Sequence, residues 1–320
     1  MAGHFQSLAV TFLGCGNLSS AVLDGILSSL YDSSEHFNAS TQTSKVVSSV
    51  SEPILVPGNL VACVHSQGSA TSLEKIYNGK DVTVLAQENV RGVKQADLVM
   101  LGVEPSVFRE VLAEPGMRDA LSSKILVSFV GGVTIHMLRE AIYGHDASSK
   151  SESDAQKECQ IIRVTPSTAA AVRGSFTLVI EEKDHPYPPQ LLTKINSLFS
   201  RIGSVRNIPD SLAHVGATLA SSGPAFFALA LEGTVNGAVE LGMDRAAALE
   251  MAAASMRGAA DLVAEGESPD EVRRKIATPG GSTAVGLDLL EEAGVKWSMQ
   301  QAILKTATRL GGPGLKKVEG

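Results

Sequence analysis

The first two-thirds of the chain repeats one hydropathic unit: a short apolar run, a glycine or polar turn, then apolar positions at helical spacing. Residues 8–13 form an apolar run with the length and β-branched content of a buried parallel strand. Leu18, Val22, Ile26 and Leu30 follow at the spacing of one helix face. A second strand is expected at 60–64, a third at 82–85 with a short helix over 89–95, and a fourth at 98–103 with a helix over 106–112. Residues 125–130 read as another strand, followed by an amphipathic helix through Ile135, Leu138 and Ile142. Strands at 161–164 and 177–180 complete the expected sheet. Strands alternating with helices in this way predict a doubly wound, mostly parallel sheet of the Rossmann type, with ligands at the carboxyl ends of its strands. Two Ser-rich stretches, about 33–57 and 144–158, carry no such pattern and are expected as surface insertions.

From about Ser211 the period changes to 3.6, and Ala, Leu, Met and Gly dominate. Phe227, Leu231, Val235 and Val239 mark one buried stripe, ended by Gly242. Asp244 caps a helix running to about Ala264, and Ser268-Pro-Asp-Glu271 is a capping box with Pro at the first helical position. A helix through Leu287 and Leu290 to Gly294 and a last one from Lys296 to Leu310 close the chain. The expected organisation is an α/β domain over 1–208 and an all-α dimerisation domain over 209–320. So many small residues imply close helix packing, and apolar positions on more than one side of the helices imply a homodimer, with a higher homo-oligomer left open.

Composition narrows the partners. With 320 residues the chain is long for one core. A formal net charge of −7 and the lack of a basic block argue against nucleic acid or an anionic membrane surface. Cys15, Cys63 and Cys159 are odd in number and irregular in spacing, which fits neither a disulfide framework nor a metal site and points to a reducing compartment. Neither a targeting pattern nor an uninterrupted apolar run of membrane-spanning length is read, so the expected location is cytoplasmic.

Two glycine turns carry the candidate chemistry. Gly14-Cys15-Gly16-Asn17-Leu18-Ser19 lies between the first strand and the first helix, the context a dinucleotide fingerprint requires. Gly14 permits the turn, Gly16 lets backbone approach a pyrophosphate, and the helix N-terminus favours its charge. Ser19 stands at the third position, where Gly or Ala is usual. The second strand ends in His65-Ser66 instead of an acidic residue, which leaves room for a 2′-phosphate; NADPH is favoured with NADH possible, although no Arg follows. The second turn, Thr278-Pro-Gly280-Gly281-Ser282-Thr283, interrupts an otherwise helical half. It reads either as a plain helix-helix turn or as an anion receptor built from bare amides, with a hydroxyl residue as the natural N-cap of the next helix.

Together with Ser222-Gly-Pro-Ala-Phe226, this second turn resembles the pyrroline-5-carboxylate reductase family, and the resemblance extends over nearly the whole chain. The Gly14 loop is similar to that family's pyrophosphate loop. Asn89 matches an asparagine near the NADPH ribose, Gly102-Val103-Glu104-Pro105 a cofactor segment, and Ser128, Gly132, Val133 and Thr134 a strand-end segment. Residues 163–168 are similar to a further segment of the same family. The resemblance implies NAD(P)H-dependent reduction of L-1-pyrroline-5-carboxylate, a cyclic imine bearing a carboxylate, to L-proline. It implies that Ser222, Thr278, Gly280, Gly281, Ser282 and Thr283 bind substrate, with Thr283 as the candidate catalytic hydroxyl. It also implies interlocked helical domains, so that a partner's helices complete the site of each cofactor domain.

Glu104, Ser167, Ala169, His214, Ala220 and Phe226 depart from the family pattern, and a closely related cyclic imino acid is a second candidate substrate. A β-hydroxyacid dehydrogenase is an alternative, and would need an acid/base lysine. Lys275 is the lysine nearest the turn, within the basic run Arg273-Arg-Lys. A non-catalytic NADPH-binding sensor is a third reading.

Overall fold

The structure, a computed structural model, describes residues 6–31, 55–144, 158–183 and 186–311. The chain divides into two compact units. One holds the sheet, runs through Ser221 and takes in Leu310 and Gly311; the other is Ser222–Arg309.

The sheet unit runs β1 (Gln6–Leu13), α1 (Asn17–Tyr31), β2 (Leu55–Val64), α2 (Gln67–Ile76), β3 (Val82–Ala86), α3 (Asn89–Lys94) and β4 (Leu98–Leu101). It continues through α4 (Phe108–Leu112), α5 (Met117–Ala120), β5 (Ile125–Ser128), α6 (Ile135–Tyr143), β6 (Gln160–Thr165), β7 (Ser175–Glu181), α7 (Pro189–Phe199) and β8 (Gly203–Pro209). The eight strands lie in the order β3-β2-β1-β4-β5-β6-β7-β8. All neighbours are parallel except β6 and β7. The winding direction reverses between β1 and β4, so the crevice beyond their carboxyl ends is the topological switch point where such sheets take ligands.

The apolar runs are explained by burial on both faces. Leu8, Val10 and Phe12 of β1 join α1, Ile162 of β6 and α7 in one core; Leu13, Val61, Cys63, Val99 and Leu101 join α3–α6 in the other. Successive side chains alternate between the two, and both sides being covered removes the polar alternation that marks a half-exposed strand.

The structure corrects several expectations. β2 begins at Leu55, not at residue 60, because its first residues pair with Gln6, Ser7 and Leu8 across a register shift at Leu8/Ala9. Residues 55–57 therefore belong to the strand, while 33–54 and 145–157 of the expected insertions lie outside the described residues. β4 stops at Leu101 and β5 at Ser128, shorter than read, since the residues beyond leave the ladder. The sheet does not end at β7: α7 and β8 extend it, and β8 has few apolar positions because it is an edge strand with alternating exposure.

Beyond β8, the short helix α8 (Ala213–Ala217) and a π-helical turn (Thr218–Ser222) precede the second unit. Cβ atoms built on Gly216 would meet Leu178 and Ile208 side chains, so α8 sits tight on β7 and β8. The second unit comprises α9 (Gly223–Glu240), α10 (Arg245–Ala264), α11 (Pro269–Ile276), α12 (Ser282–Glu292) and α13 (Val295–Arg309). Asp244 accepts from the amides of Ala246 and Ala247, and Ser268 with Glu271 closes both bonds of the capping box.

The expected buried stripe of α9 is not buried within the chain. Val235 is, but Phe227 is 54% exposed, and Leu229 and Leu241 reach 70% and 93%. Five described residues of the whole unit are buried: Gly223, Val235, Ala248, Val272 and Ala307. Five helices with so little interior leave their apolar faces for another surface. The helical run Asp210–Glu240 is, by length and composition alone, apolar enough to cross a membrane. It contains no unbroken apolar run of membrane-spanning length, because its apolar residues are interleaved with Gly, Ala, Ser and Thr.

Candidate functional site

In the sheet unit, the strand ends at the switch point converge on one glycine loop. Gly14 leaves β1 with φ +80°, a left-handed conformation that favours glycine, and its N–H donates to Cys63 O at 3.1 Å. Gly102, leaving β4, donates to Leu13 O at 2.9 Å. A side chain at Gly14 would strike Val103 Cγ1 at 2.6 Å. Gly16 differs: a Cβ there would meet nothing within 4 Å, so the loop leaves open space over its backbone. The first-turn amides of Asn17, Leu18 and Ser19 have no partner among the described residues, and no acidic residue stands in that turn. Open amides, a bare glycine backbone and the positive end of a 15-residue helix fit a pyrophosphate. Burial pushes the Cys15 thiol up, an effect that the Ser20 hydroxyl partly offsets.

The flanking candidates fall into three groups. Ser66 caps α2, its Oγ accepting from Ser69 N at 3.1 Å and lying 2.9 Å from Ser69 Oγ; His65 beside it is exposed. Asn89 opens α3, and its side-chain amide donates to Glu114 Oε2 at 3.1 Å. Glu104 and Pro105 are exposed after β4, as is Gly132 (φ +73°) after β5, while Val133 is buried beneath and Val103 half-buried against Gly14. Ser19 is buried, its hydroxyl turned to Gly102.

A buried ion cluster that the hydropathic pattern does not reveal lies at the start of α6. Arg163 of β6 donates through Nη1 to Glu182 Oε1 at 2.8 Å and Asp210 Oδ1 at 2.7 Å. Burial alone would lower its pKa; hydrogen bonds and charge from the two carboxylates outweigh that and raise it. Glu182 also accepts from Ile135 N at 3.3 Å, linking α6 to the cluster. An Arg interrupting the apolar run of Ile161, Ile162 and Val164 was the available signal. Ser167 is likewise structural in its contacts, its N–H donating to Ser175 Oγ at 3.0 Å.

In the helical unit, the Pro-Gly-Gly turn has a definite form. Gly281 N donates to Thr278 O at 2.9 Å, with Pro279 and Gly280 (φ +72°) between them, the arrangement of a type II turn. A Cβ on Gly281 would lie 2.6 Å from Thr278 Oγ1. Contrary to the expectation of a hydroxyl cap, Gly281 itself is the N-cap of α12, without a side-chain cap hydrogen bond; Ser282 and Thr283 are the first two helical residues. The reason is steric, since the turn brings Thr278 to where a side chain at the cap would sit. Ala284 N and Val285 N return to Gly281 O at 3.1 and 3.4 Å, so the amides of Ser282 and Thr283 have no partner among the described residues. Ser222 ends the π-helical turn, half-buried and without a cap bond. Lys275, the lysine a hydroxyacid dehydrogenase would need, is paired with Glu267 at 2.9 Å on a side chain 65% exposed. No cluster of three or more metal-ligating side chains occurs among the described residues.

Comparison with known proteins gives the family. Residues 210–311 match a family profile described as pyrroline-5-carboxylate reductase dimerisation, and residues 9–132 one described as NADP oxidoreductase coenzyme F420-dependent. A pyrroline-5-carboxylate reductase of Lophium arboricola is 36% identical over 98% of this chain and 97% of its own. One of Neurospora crassa is 35% identical over 98% and 96%. The fold is shared with a pyrroline carboxylate reductase of Plasmodium falciparum solved with NADP bound, at TM-score 0.73 and 21% identity over 96% of this chain and 98% of that one. The chain belongs to the pyrroline-5-carboxylate reductase family.

Proposed function

We propose that this protein reduces L-1-pyrroline-5-carboxylate to L-proline with NADPH, as a homodimer. The observation that carries the substrate reading is the start of α12: two open amides, two hydroxyls, a glycine cap and no acidic residue in the first turn. Such a terminus takes a carboxylate by charge-assisted hydrogen bonds. Gly280 and Gly281 keep side chains away from it, and Thr278, Ser282 and Thr283 supply hydroxyls. Thr283 is the residue we place at the imine ring, donating to the ring nitrogen or the carboxylate. The imine nitrogen is basic enough to be protonated from solvent, so no strong general acid is required of the chain.

For the cofactor, the loop from Gly14 to Ser19 holds the pyrophosphate on the α1 amides. His65, Ser66 and the α2 N-terminus accommodate a 2′-phosphate, which favours NADPH over NADH. Asn89, Gly102–Pro105, Gly132 and Val133 line the remainder. When bound, the nicotinamide supplies the hydride for the imine carbon. The exposed apolar faces of α9–α13 are covered by a second copy of the chain. The three free thiols fit a cytoplasmic, reducing location.

The deciding assay follows NADPH oxidation with L-1-pyrroline-5-carboxylate, a substituted pyrroline carboxylate and a 3-oxoacid. Turnover confined to the oxoacid would sink this reading. Preference for the substituted ring would keep the chemistry and change the substrate.

A further inference from the structure

The third position of a dinucleotide fingerprint is small because the helix must seat closely against the sheet there. Here that position is Ser19, 1% exposed, and its buried Oγ has no hydrogen-bond partner among the described residues. A hydroxyl left in that condition is costly, so its place must be explained by shape. Its neighbour explains it. A Cβ added to Gly102 would lie 1.9 Å from Ser19 Oγ, 3.3 Å from Ser19 Cβ and 3.4 Å from Gly14 O. The bulk sits on the helix and the void on the strand end, and Gly102 cannot retreat because its N–H is tied to Leu13 O at 2.9 Å.

We propose that Gly102 is a positioning residue acting through Ser19: the pair sets how closely the first turn of α1 seats against the end of β4, and so places the amides of Asn17 and Leu18. This rests on the NADPH reading above. A methyl group at 102 displaces Ser19 and lifts the amides from the pyrophosphate; removing the Ser19 hydroxyl as well restores the fit, because the remaining approach of 3.3 Å is only a few tenths of an ångström too close.

The test is a double-mutant cycle on the full chain, with NADPH affinity by calorimetry and the thermal midpoint of the cofactor-free protein. Gly102→Ala should weaken NADPH binding about tenfold or more, and Ser19→Ala about threefold. The double variant should bind more tightly than Gly102→Ala alone, with both affinity and midpoint recovering. Wild-type affinity in Gly102→Ala overturns the proposal, as do losses that simply multiply in the double variant, which would assign the hydroxyl to the cofactor itself. Recovery of the midpoint without recovery of affinity reduces the pair to a structural one and also overturns it. If Gly102→Ala does not fold, the double variant decides alone: a folded protein that binds NADPH supports the pair, and an unfolded one refutes it. Failure of the wild type to bind NADPH removes the functional reading and the proposal together, whereas wild-type binding with non-interacting substitutions removes only the pair.

Discussion

Arg163 and Asp210 meet at 2.7 Å, joining the sixth strand to the first residue of the passage toward the helical unit. Glu182, one residue beyond the end of β7, takes the same guanidinium nitrogen. The arginine side chain is 10% exposed and Glu182 15%, whereas Asp210 is 51% exposed. Arg163→Met should therefore destabilise the protein by about 3 kcal/mol, mainly by stranding Glu182. Asp210→Ala should cost less than about 1 kcal/mol, since water screens that partner. Urea unfolding of the two variants checks the order; equal losses would show that the exposed bridge matters as much as the buried one.

Gly16→Val separates ligand approach from folding. A Cβ at Gly16 meets nothing within 4 Å, so the substitution should leave the thermal midpoint close to wild type while removing NADPH affinity. Gly14→Ala should do both kinds of damage, because φ is +80° there and Val103 is in the way. Retained NADPH binding in Gly16→Val would refute the pyrophosphate role.

The strands facing two cores were legible because their runs are wholly apolar, as in Val10 and Phe12 on one side and Leu13 on the other. Edge strand β8 was not, since Arg206 and Asn207 face water and break the pattern. Both glycine turns could be found from Pro and Gly alone. What sequence could not give was which residue caps α12, because that depends on Thr278 folding back toward Gly281. Nor could it pair Arg163 with carboxylates 19 and 47 residues away. The stripe of α9 had the right period but the wrong covering, since helical spacing says which face is apolar and not which chain buries it.

Ser282→Ala with Thr283→Ala should raise KM for the carboxylate substrate by about tenfold or more, the scale of two lost charge-assisted bonds, with little change in NADPH affinity. Gly281→Ala should act in the same direction, because its Cβ collides with Thr278 Oγ1 and distorts the turn. Steady-state kinetics with each substrate varied in turn reads the split. Equal losses toward both substrates would make the turn a structural element.

Thiol chemistry gives a pH test. Burial pushes Cys63 up to about 12, and burial also raises Cys15 and Cys159. At neutral pH none is a reactive thiolate, so the native protein should react slowly with a disulfide reagent and release three equivalents once unfolded. The raised folded value also sets a sign. Above the ordinary thiol value of 9.0 the unfolded chain loses the Cys63 proton while the folded chain keeps it, so the unfolded state binds fewer protons and stability falls as pH rises from about 9 toward 12. Cys63→Ala should flatten that fall in alkaline urea unfolding, at the cost of a small cavity beside Gly92, whose own Cβ would lie 2.4 Å from the sulfur. An unchanged alkaline slope in the variant would show that other buried groups govern it, among them Tyr77, Tyr143 and Tyr187, whose hydroxyls burial also raises.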